Sequence, residues 1–521
     1  MTLPLFRQLV RTQRPSVSIC WLSSASLRGF STAPRIRQEH GTNSAKLSSG
    51  RNGNIFRTVK LGPPDSAENR PSIEYEKRQP KRKDQGRIQD RPDVPQGVRI
   101  SLDGEDIHIV PVALRDLCSC PQCVDTSTKQ KLFYTPDIPS TIEAKTVDQD
   151  PNSLKITWTN DVPGYDDQHV TEIPIDFLRR ILTTGKPEVD PPVIPRSLWD
   201  AATFAKDTED FAYDAYMSDD TVLLKAVKQL HSHGLLFLTN VPEDEESVVR
   251  LAERIGPLKT TFYGKTWDVR SVPDAKNVAY TAQNLGFHMD LMYMEQPPHL
   301  QLLHCIRSSS SGGASLFSDS FQTVQELAEK DYNSFDSLTN LDVQFHYDHP
   351  GDNYYHQTRT VIEQQPFRGR GKTFLNSWAA ALRKRDLQPG ITWLQELDLM
   401  DFVSSVAWSP PFQGPFRIRP DPRKGGDALP LAVAAETYAE HVRKWHKAAS
   451  QFNALIHRES HIHERLMKPG ECVIFDNRRV LHARRAFDVG DVGKERWLKG
   501  GYIDKDPYLS KLRILQQKYD V

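Results

Sequence analysis

The stretch NVAYTAQNLGFHMDLMYMEQPPHLQLLHCI, residues 277–306, carries His288-Met289-Asp290 between two apolar runs. Side chains two apart on a strand point to the same face. A strand through this stretch would therefore let His288 and Asp290 chelate one ion together. A third ligand must then come from elsewhere in the chain. Two histidines and one carboxylate occupy one face of an octahedral iron and leave three positions open, enough for a bidentate cosubstrate and O2. Spacing alone does not single out this pair. His346-Tyr347-Asp348 and His457-Arg458-Glu459 repeat the pattern, and the chain has 17 histidines.

Outward from this stretch, the sequence from about Pro195 breaks into short alternating or apolar runs separated by Pro, Gly and Asp. They include LLFLTNV at 235–241, LQLLHCI at 300–306, ASLFSDS at 314–320, LDVQFHY at 341–347, PFRIRP at 415–420, ECVIFDN at 471–477 and WLKGGYI at 497–503, with NVAYTAQ at 277–283 among them. Helical spacing appears in DDTVLLKAVKQLHSH, closed by Gly234, and in SVVRLAERIG at 247–256. Many short strands with a few helices predict a β-sandwich or barrel with helical buttresses, mainly β in class.

Lys plus Arg and Asp plus Glu both number 67, so no basic excess argues for nucleic acid. Hydrophobic content of 38% and charged content of 26% are ordinary for a globular enzyme. No run approaches the ~18 consecutive apolar residues of a membrane helix. Six cysteines in 521 residues are too sparse for a disulfide scaffold, yet Cys118, Cys120 and Cys123 crowd together.

Those three thiols sit in a smaller region. VRISLDGEDIHIVPVALRDLC alternates on either side of Asp103-Gly104, a hairpin signal that precedes Cys118-Ser119-Cys120-Pro121-Gln122-Cys123. A second alternating run, LKITW at 154–158, and HVTEIPI from His169 lead into the helix-like DFLRRIL. Thiols this close do not readily pair with each other but can share one metal. Zinc takes four such ligands tetrahedrally, and His169 is a candidate fourth, which would close a structural site. The other reading is reduced thiols or a redox pair.

Residues 1–38 hold Arg7, Arg11, Arg14, Arg28, Arg35 and Arg37, abundant Ser, and no acid before Glu39. This is the composition of a mitochondrial transit peptide and predicts the matrix, with the cytoplasm as the alternative. Residues 39–95 are rich in charge, Pro and Gln and poor in apolar residues, the composition of a disordered linker. The expected layout is thus a leader at 1–38, a linker at 39–95, a small domain at 96–190 and a catalytic domain at 195–521.

TFYGKTWDV at 261–269, the 277–306 stretch, FDNRRVLHARRAF at 475–487 and RWLKGGYID at 496–504 together resemble the γ-butyrobetaine and trimethyllysine dioxygenases of carnitine biosynthesis. LRDLCSCPQC and HVTEIPIDFL resemble that family's small zinc-binding domain, and CSCPQC stands closer to the γ-butyrobetaine branch. The resemblance spans roughly residues 96–510. It implies a double-stranded β-helix, or jelly roll, behind a β-rich zinc-binding domain. It implies Fe(II) on His288, Asp290 and His482, and structural Zn(II) on Cys118, Cys120, Cys123 and His169. By the same comparison Arg496 meets the distal carboxylate of 2-oxoglutarate, and Leu303 and Asn277 line the pocket. The implied reaction is hydroxylation of an unactivated C–H with succinate and CO2 as co-products, ascorbate serving as a reductant.

The resemblance also implies an aromatic cage for a trimethylammonium group at Tyr263, Trp267, Tyr280 and Tyr502. Such a group donates no hydrogen bond and is held by cation–π attraction. One departure stands out. The asparagine that would meet the substrate carboxylate is not evident in 408–430, where Arg417, Arg419 and Asp421 stand, and 368–386 is also unusual for the family. The expected reaction is γ-butyrobetaine to L-carnitine, with trimethyllysine or another substrate as alternatives. A zinc-stabilised binding protein without catalysis is the alternative of another class. Assembly is left open, with a homodimer as one arrangement.

Overall fold

The computed structural model divides the chain into Met1–Val94 and Pro95–Val521. It describes residues 97–185, 192–270, 281–309, 311–364, 403–416, 430–488 and 496–520. The expected leader and linker therefore lie outside the described residues, as do Asn277, Tyr280, Arg417, Arg419, Asp421 and the 368–386 segment.

β1 (Val98–Leu102) and β2 (Glu105–Ile109) form the expected hairpin, in register from Val98↔Ile109 to Leu102↔Glu105. Asp103 and Gly104 have φ of 55° and 84°, the left-handed pair a two-residue hairpin turn requires. The alternation does not continue past Ile109. Residues 111–116 form a helix, α1 (Pro111–Asp116), because Pro111 withholds a strand donor and takes the first helical position, where its fixed φ suits. An antiparallel sheet follows, in the order β3 (Glu143–Gln149), β4 (Ser153–Thr159) and β5 (Val170–Pro174), with α2 (Ile175–Thr184) after it. β4 turns Leu154, Ile156 and Trp158 inward, and these join Ile100, Leu114, Ile173 and Leu178 in a core of their own.

Further along are α3 (Ala201–Asp207), β6 (Asp210–Ala212), α4 (Tyr213–Ser218), α5 (Asp220–His233), β7 (Leu235–Thr239) and α6 (Ser247–Ile255). Gly234 stops α5 with φ of 76°, a conformation that favours glycine, and turns the chain directly into β7. β8 (Thr266–Arg270), β9 (Leu285–His288), β10 (Leu300–Arg307), β11 (Ser315–Asp319), α7 (Ser320–Lys330), α8 (Tyr332–Asn340), β12 (Asp342–His349), β13 (Asn353–Thr360), β14 (Ile362–Gln364) and β15 (Val403–Val406) come next. The order closes with α9 (Leu431–Ile456), β16 (His463–Arg465), β17 (Glu471–Asp476), β18 (Val480–Arg484), β19 (Trp497–Ile503) and α10 (Lys505–Tyr519).

Two sheets carry the catalytic part. One has the order β6-β7-β17-β10-β19-β8 and the other β16-β11-β18-β9; β6–β7 is their parallel pair. Phe237, Val473, Phe475 and Leu498 of the first share a core with Phe317 and Val480 of the second. The first sheet's other face, with Leu236, Leu238, Leu302 and Ile474, packs on Leu230 of α5, Leu251 of α6 and Leu512 of α10. That double burial explains why β7, β10 and β17 are nearly continuous apolar runs. Two largely antiparallel sheets over one core, with helices outside, are consistent with a jelly roll, and the whole is a mixed helix-and-sheet fold. In the run NVAYTAQ, residues 277–280 lie outside the described residues and 281–283 are bends. In PFRIRP, Pro415 and Phe416 form no strand and the rest lies outside. Among the described residues no helix is long and apolar enough to cross a membrane.

Candidate active site and thiol cluster

β18 pairs with β9 so that His482 stands directly opposite His288. Their rings lie 4.1 Å apart, centre to centre. His288 Nδ1 is 2.8 Å from the Gly286 carbonyl, an arrangement that turns Nε2 inward. From there Nε2 is 3.4 Å from Asp290 Oδ1, and His482 Nε2 is 3.9 Å from the same oxygen. One ligand atom from each of the three residues lies within 4.8 Å of the others. Among the described residues neither His346 with Asp348 nor His457 with Glu459 belongs to such a group.

The reason Asp290 reaches this place is not strand alternation. β9 ends at His288, and Asp290 lies in the turn beyond, just before Leu291 with φ of 61°. Side-chain and backbone partners fix the turn instead. Met289 N–H donates to the Trp408 carbonyl at 2.7 Å. Asp290 N–H donates to Asn477 Oδ1 at 2.8 Å, and Asn477 Nδ2 donates back to the Asp290 carbonyl at 3.0 Å.

Burial would push the Asp290 carboxyl up, but its hydrogen bond with His288, the charges of His482 and His288, and the Tyr502 hydroxyl together hold it below the usual carboxylate range. Burial, aided by the neighbouring His288, pushes His482 down to about 3. Two imidazoles and a carboxylate, converging from one side onto an open cleft, suit a divalent ion of the iron type.

The cleft, about 890 Å³ with its mouth, is bordered by the triad. At one end lie Arg484 and Arg496, and Leu303, opposite Gly500 on the neighbouring strand, lines the cleft further along. Arg496 is only 4% exposed, and no carboxylate stands opposite it among the described residues. Burial pushes it down to about 10; burial and the Arg496 charge do the same to Arg484. Arg484 Nη2 donates to the Thr281 and Gln283 carbonyls, at 2.7 and 2.8 Å. A desolvated guanidinium left facing a cleft, with a second beside it, suits a carboxylate-bearing cosubstrate.

At the other end are Tyr263, Trp267 and Tyr502, joined by Leu291, Tyr293, Pro411 and Phe412. Trp267 stacks on Tyr502 with centroids 3.9 Å apart and planes at 26°. Gly500, directly across from Trp267, makes room for the indole: a Cβ there would sit 2.4 Å from it. The structure thus brings together three of the four expected cage residues, with Tyr280 outside the described residues. Sequence reasoning missed Arg484, Tyr293, Phe412 and Asn477. Arg484 was within reach, since it lies two residues after His482 on one strand and so shares its face. The other three become visible only through long-range packing.

The thiol cluster lies in the small core. Cys118 follows α1, and a tight turn brings Cys120 and Cys123 round, with the Cys123 and Val124 N–H groups both donating to the Cys120 carbonyl. His169 Nε2 is 3.6, 3.6 and 3.3 Å from the sulfurs of Cys118, Cys120 and Cys123. Asp161 Oδ2 holds His169 Nδ1 at 2.9 Å, which orients the ring. Arg115, fully buried, donates to Asp161 at 2.5 Å and to Cys123 Sγ at 3.3 Å.

Residues 199–502 match the model of the family described as taurine catabolism dioxygenase TauD, TfdA family. The dioxygenase str8 of Strobilurus tenacellus is 32% identical over 434 residues, 79% of this chain and 88% of that protein. Human γ-butyrobetaine dioxygenase is 26% identical over 421 residues, 80% of this chain and 94% of its own. Trimethyllysine dioxygenase of Meyerozyma guilliermondii is 25% identical over 441 residues, 80% and 95% of the respective chains. With the match to the family model covering more than half its length, the chain belongs to the TauD, TfdA family and is a dioxygenase of the iron- and 2-oxoglutarate-dependent class.

Proposed function

We propose that the enzyme hydroxylates an unactivated C–H of a small trimethylammonium acid, with γ-butyrobetaine the first candidate and L-carnitine its product. The observation that carries this reading is a triad in a cleft that also holds a buried arginine, with no carboxylate opposite it among the described residues, and a wall of aromatic rings. His288, Asp290 and His482 would hold Fe(II), and Arg496 would take the distal carboxylate of 2-oxoglutarate. When bound, iron and 2-oxoglutarate activate O2 for C–H hydroxylation and release succinate and CO2. The chain's own part is placement. Arg496 orients the cosubstrate from one end. Tyr263, Trp267, Tyr293 and Phe412 exclude water at the other end and present π-faces to a cation that cannot be hydrogen-bonded.

A second reading keeps the chemistry and changes the substrate. Relatives named for γ-butyrobetaine and for trimethyllysine match almost equally, and the 32% relative is named only as a dioxygenase. A panel of trimethylammonium acids, followed by succinate release, separates the two. γ-Butyrobetaine should stimulate release, and the neutral isostere 5,5-dimethylhexanoate should not compete with it. Equal competition by the isostere would remove the case for a cation site. Trp267→Ala should weaken trimethylammonium binding by up to about 2 kcal/mol, near thirtyfold in Kd, measured by competition or calorimetry.

Cys118, Cys120, Cys123 and His169 are proposed to hold structural zinc, because three sulfurs and an imidazole leave no open position. Metal analysis should find zinc at one per chain. Asp161→Ala should weaken zinc affinity about tenfold or more in competition with a chromogenic chelator, as removal of the residue orienting a ligand histidine does elsewhere; an unchanged affinity would count against the site. The Arg-rich first 38 residues are proposed to direct the chain to mitochondria.

A further inference from the structure

We infer that Tyr502 is a positioning residue for the metal: its hydroxyl ties down one oxygen of Asp290 and leaves the other as the single oxygen offered to the ion. This rests on the reading of His288, Asp290 and His482 as iron ligands and assigns Tyr502 a task different from walling the substrate.

Asp290 needs such a partner because it has left the strand. Its main chain is held by Asn477, which is fully buried and also donates to the Pro298 carbonyl at 3.2 Å. That clamp fixes where the Cα sits but leaves the carboxylate free to rotate. The Tyr502 hydroxyl, 2.7 Å from Oδ2, stops the rotation. The oxygen it leaves, Oδ1, is the one that faces both imidazoles.

The phenol ring is itself closely packed. It is 2% exposed and stacked under Trp267, whose indole fills the space over Gly500. Its main-chain carbonyl accepts from Lys259 N–H at 2.8 Å. A carboxylate free to rotate could bind through both oxygens and use one of the open positions that a cosubstrate and O2 require. A phenol donor on Oδ2 competes with that mode, so the open side stays open. Trp267 covers one face of the Tyr502 ring, which further separates its role from that of a cage wall.

Tyr502→Phe isolates the hydroxyl, since the ring and its stacking remain. Fe(II) is titrated anaerobically into apoprotein in the presence of 2-oxoglutarate, following the charge-transfer absorption of the ternary complex. The expected result is a Kd for Fe(II) about tenfold weaker than wild type, an unchanged 2-oxoglutarate dependence at saturating iron, and an unchanged melting temperature of the apoprotein. A purely structural hydroxyl would lower the apoprotein melting temperature and leave the iron Kd alone. An iron Kd within twofold of wild type overturns the inference and returns Tyr502 to the substrate wall. His288→Ala is titrated in parallel: if it binds Fe(II) as wild type does, the ligand assignment itself has failed, and the inference falls with it for that separate reason.

Discussion

His288→Ala and Asp290→Ala should each abolish succinate formation while zinc remains at one per chain. On the proposed assignment His288 and Asp290 supply two of three donors, and the third, His482, is buried with no acid but Asp290 acting on it among the described residues. A single substitution leaves two donors, too few to fix a divalent ion against six competing waters. Loss of a residue that merely orients a ligand costs ten- to a hundredfold, so loss of a ligand should exceed about a hundredfold. The thiol cluster belongs to a separate core, and among the described residues nothing in its hydrogen bonding runs through the triad. Coupled succinate release and metal analysis of the same preparation check both halves. Turnover within tenfold of wild type in either variant would refute the assignment.

The second large effect is expected at Arg496. A pair of hydrogen bonds between a guanidinium and a carboxylate contributes about 1.5–3 kcal/mol per bond. Arg496→Ala should then raise the 2-oxoglutarate KM by about a hundredfold or more, with the KM for the organic substrate moving little. Arg496→Lys should recover only part, because an ammonium cannot present the planar fork. The absence of an acid partner adds a test. Removing a paired buried cation usually destabilises, because it strands its partner. Here no carboxylate is stranded among the described residues, so apoprotein Arg496→Ala should melt no lower than wild type. A stability loss matching the KM effect would mark Arg496 as structural.

Local patterns in the sequence carried some of this architecture and not the rest. The Asp103-Gly104 hairpin, the Gly234 stop and the CxCxxC turn are encoded by neighbouring residues, so they are legible without a fold. PVALRD was not, because its alternation looks like strand until Pro111 is given its weight. His-x-Asp pointed to the pair that converges with His482, for an incomplete reason: Asp290 sits in a turn and is placed by Asn477, which is 187 residues away. The link to His482 depends on which strand neighbours β9, and no local pattern encodes that; the resemblance supplied it. The aromatic wall was legible where family positions marked it. Tyr293 and Phe412 join it only through tertiary packing.

The direct pairing of His288 with His482 has one further consequence. Hydrogen bonds between their strands set the two imidazoles side by side, and Asn477 and Tyr502 hold the carboxylate beside them. A trio that needs no rearrangement also has no means of refusing an intruder. Ferrous iron ranks below cobalt, nickel and copper in intrinsic affinity for such nitrogen and oxygen donors. If these three hold the iron, as proposed, the supply of metal during folding bears on which ion fills the site, and protein made in cells rich in the competing ions should emerge loaded with them and inert.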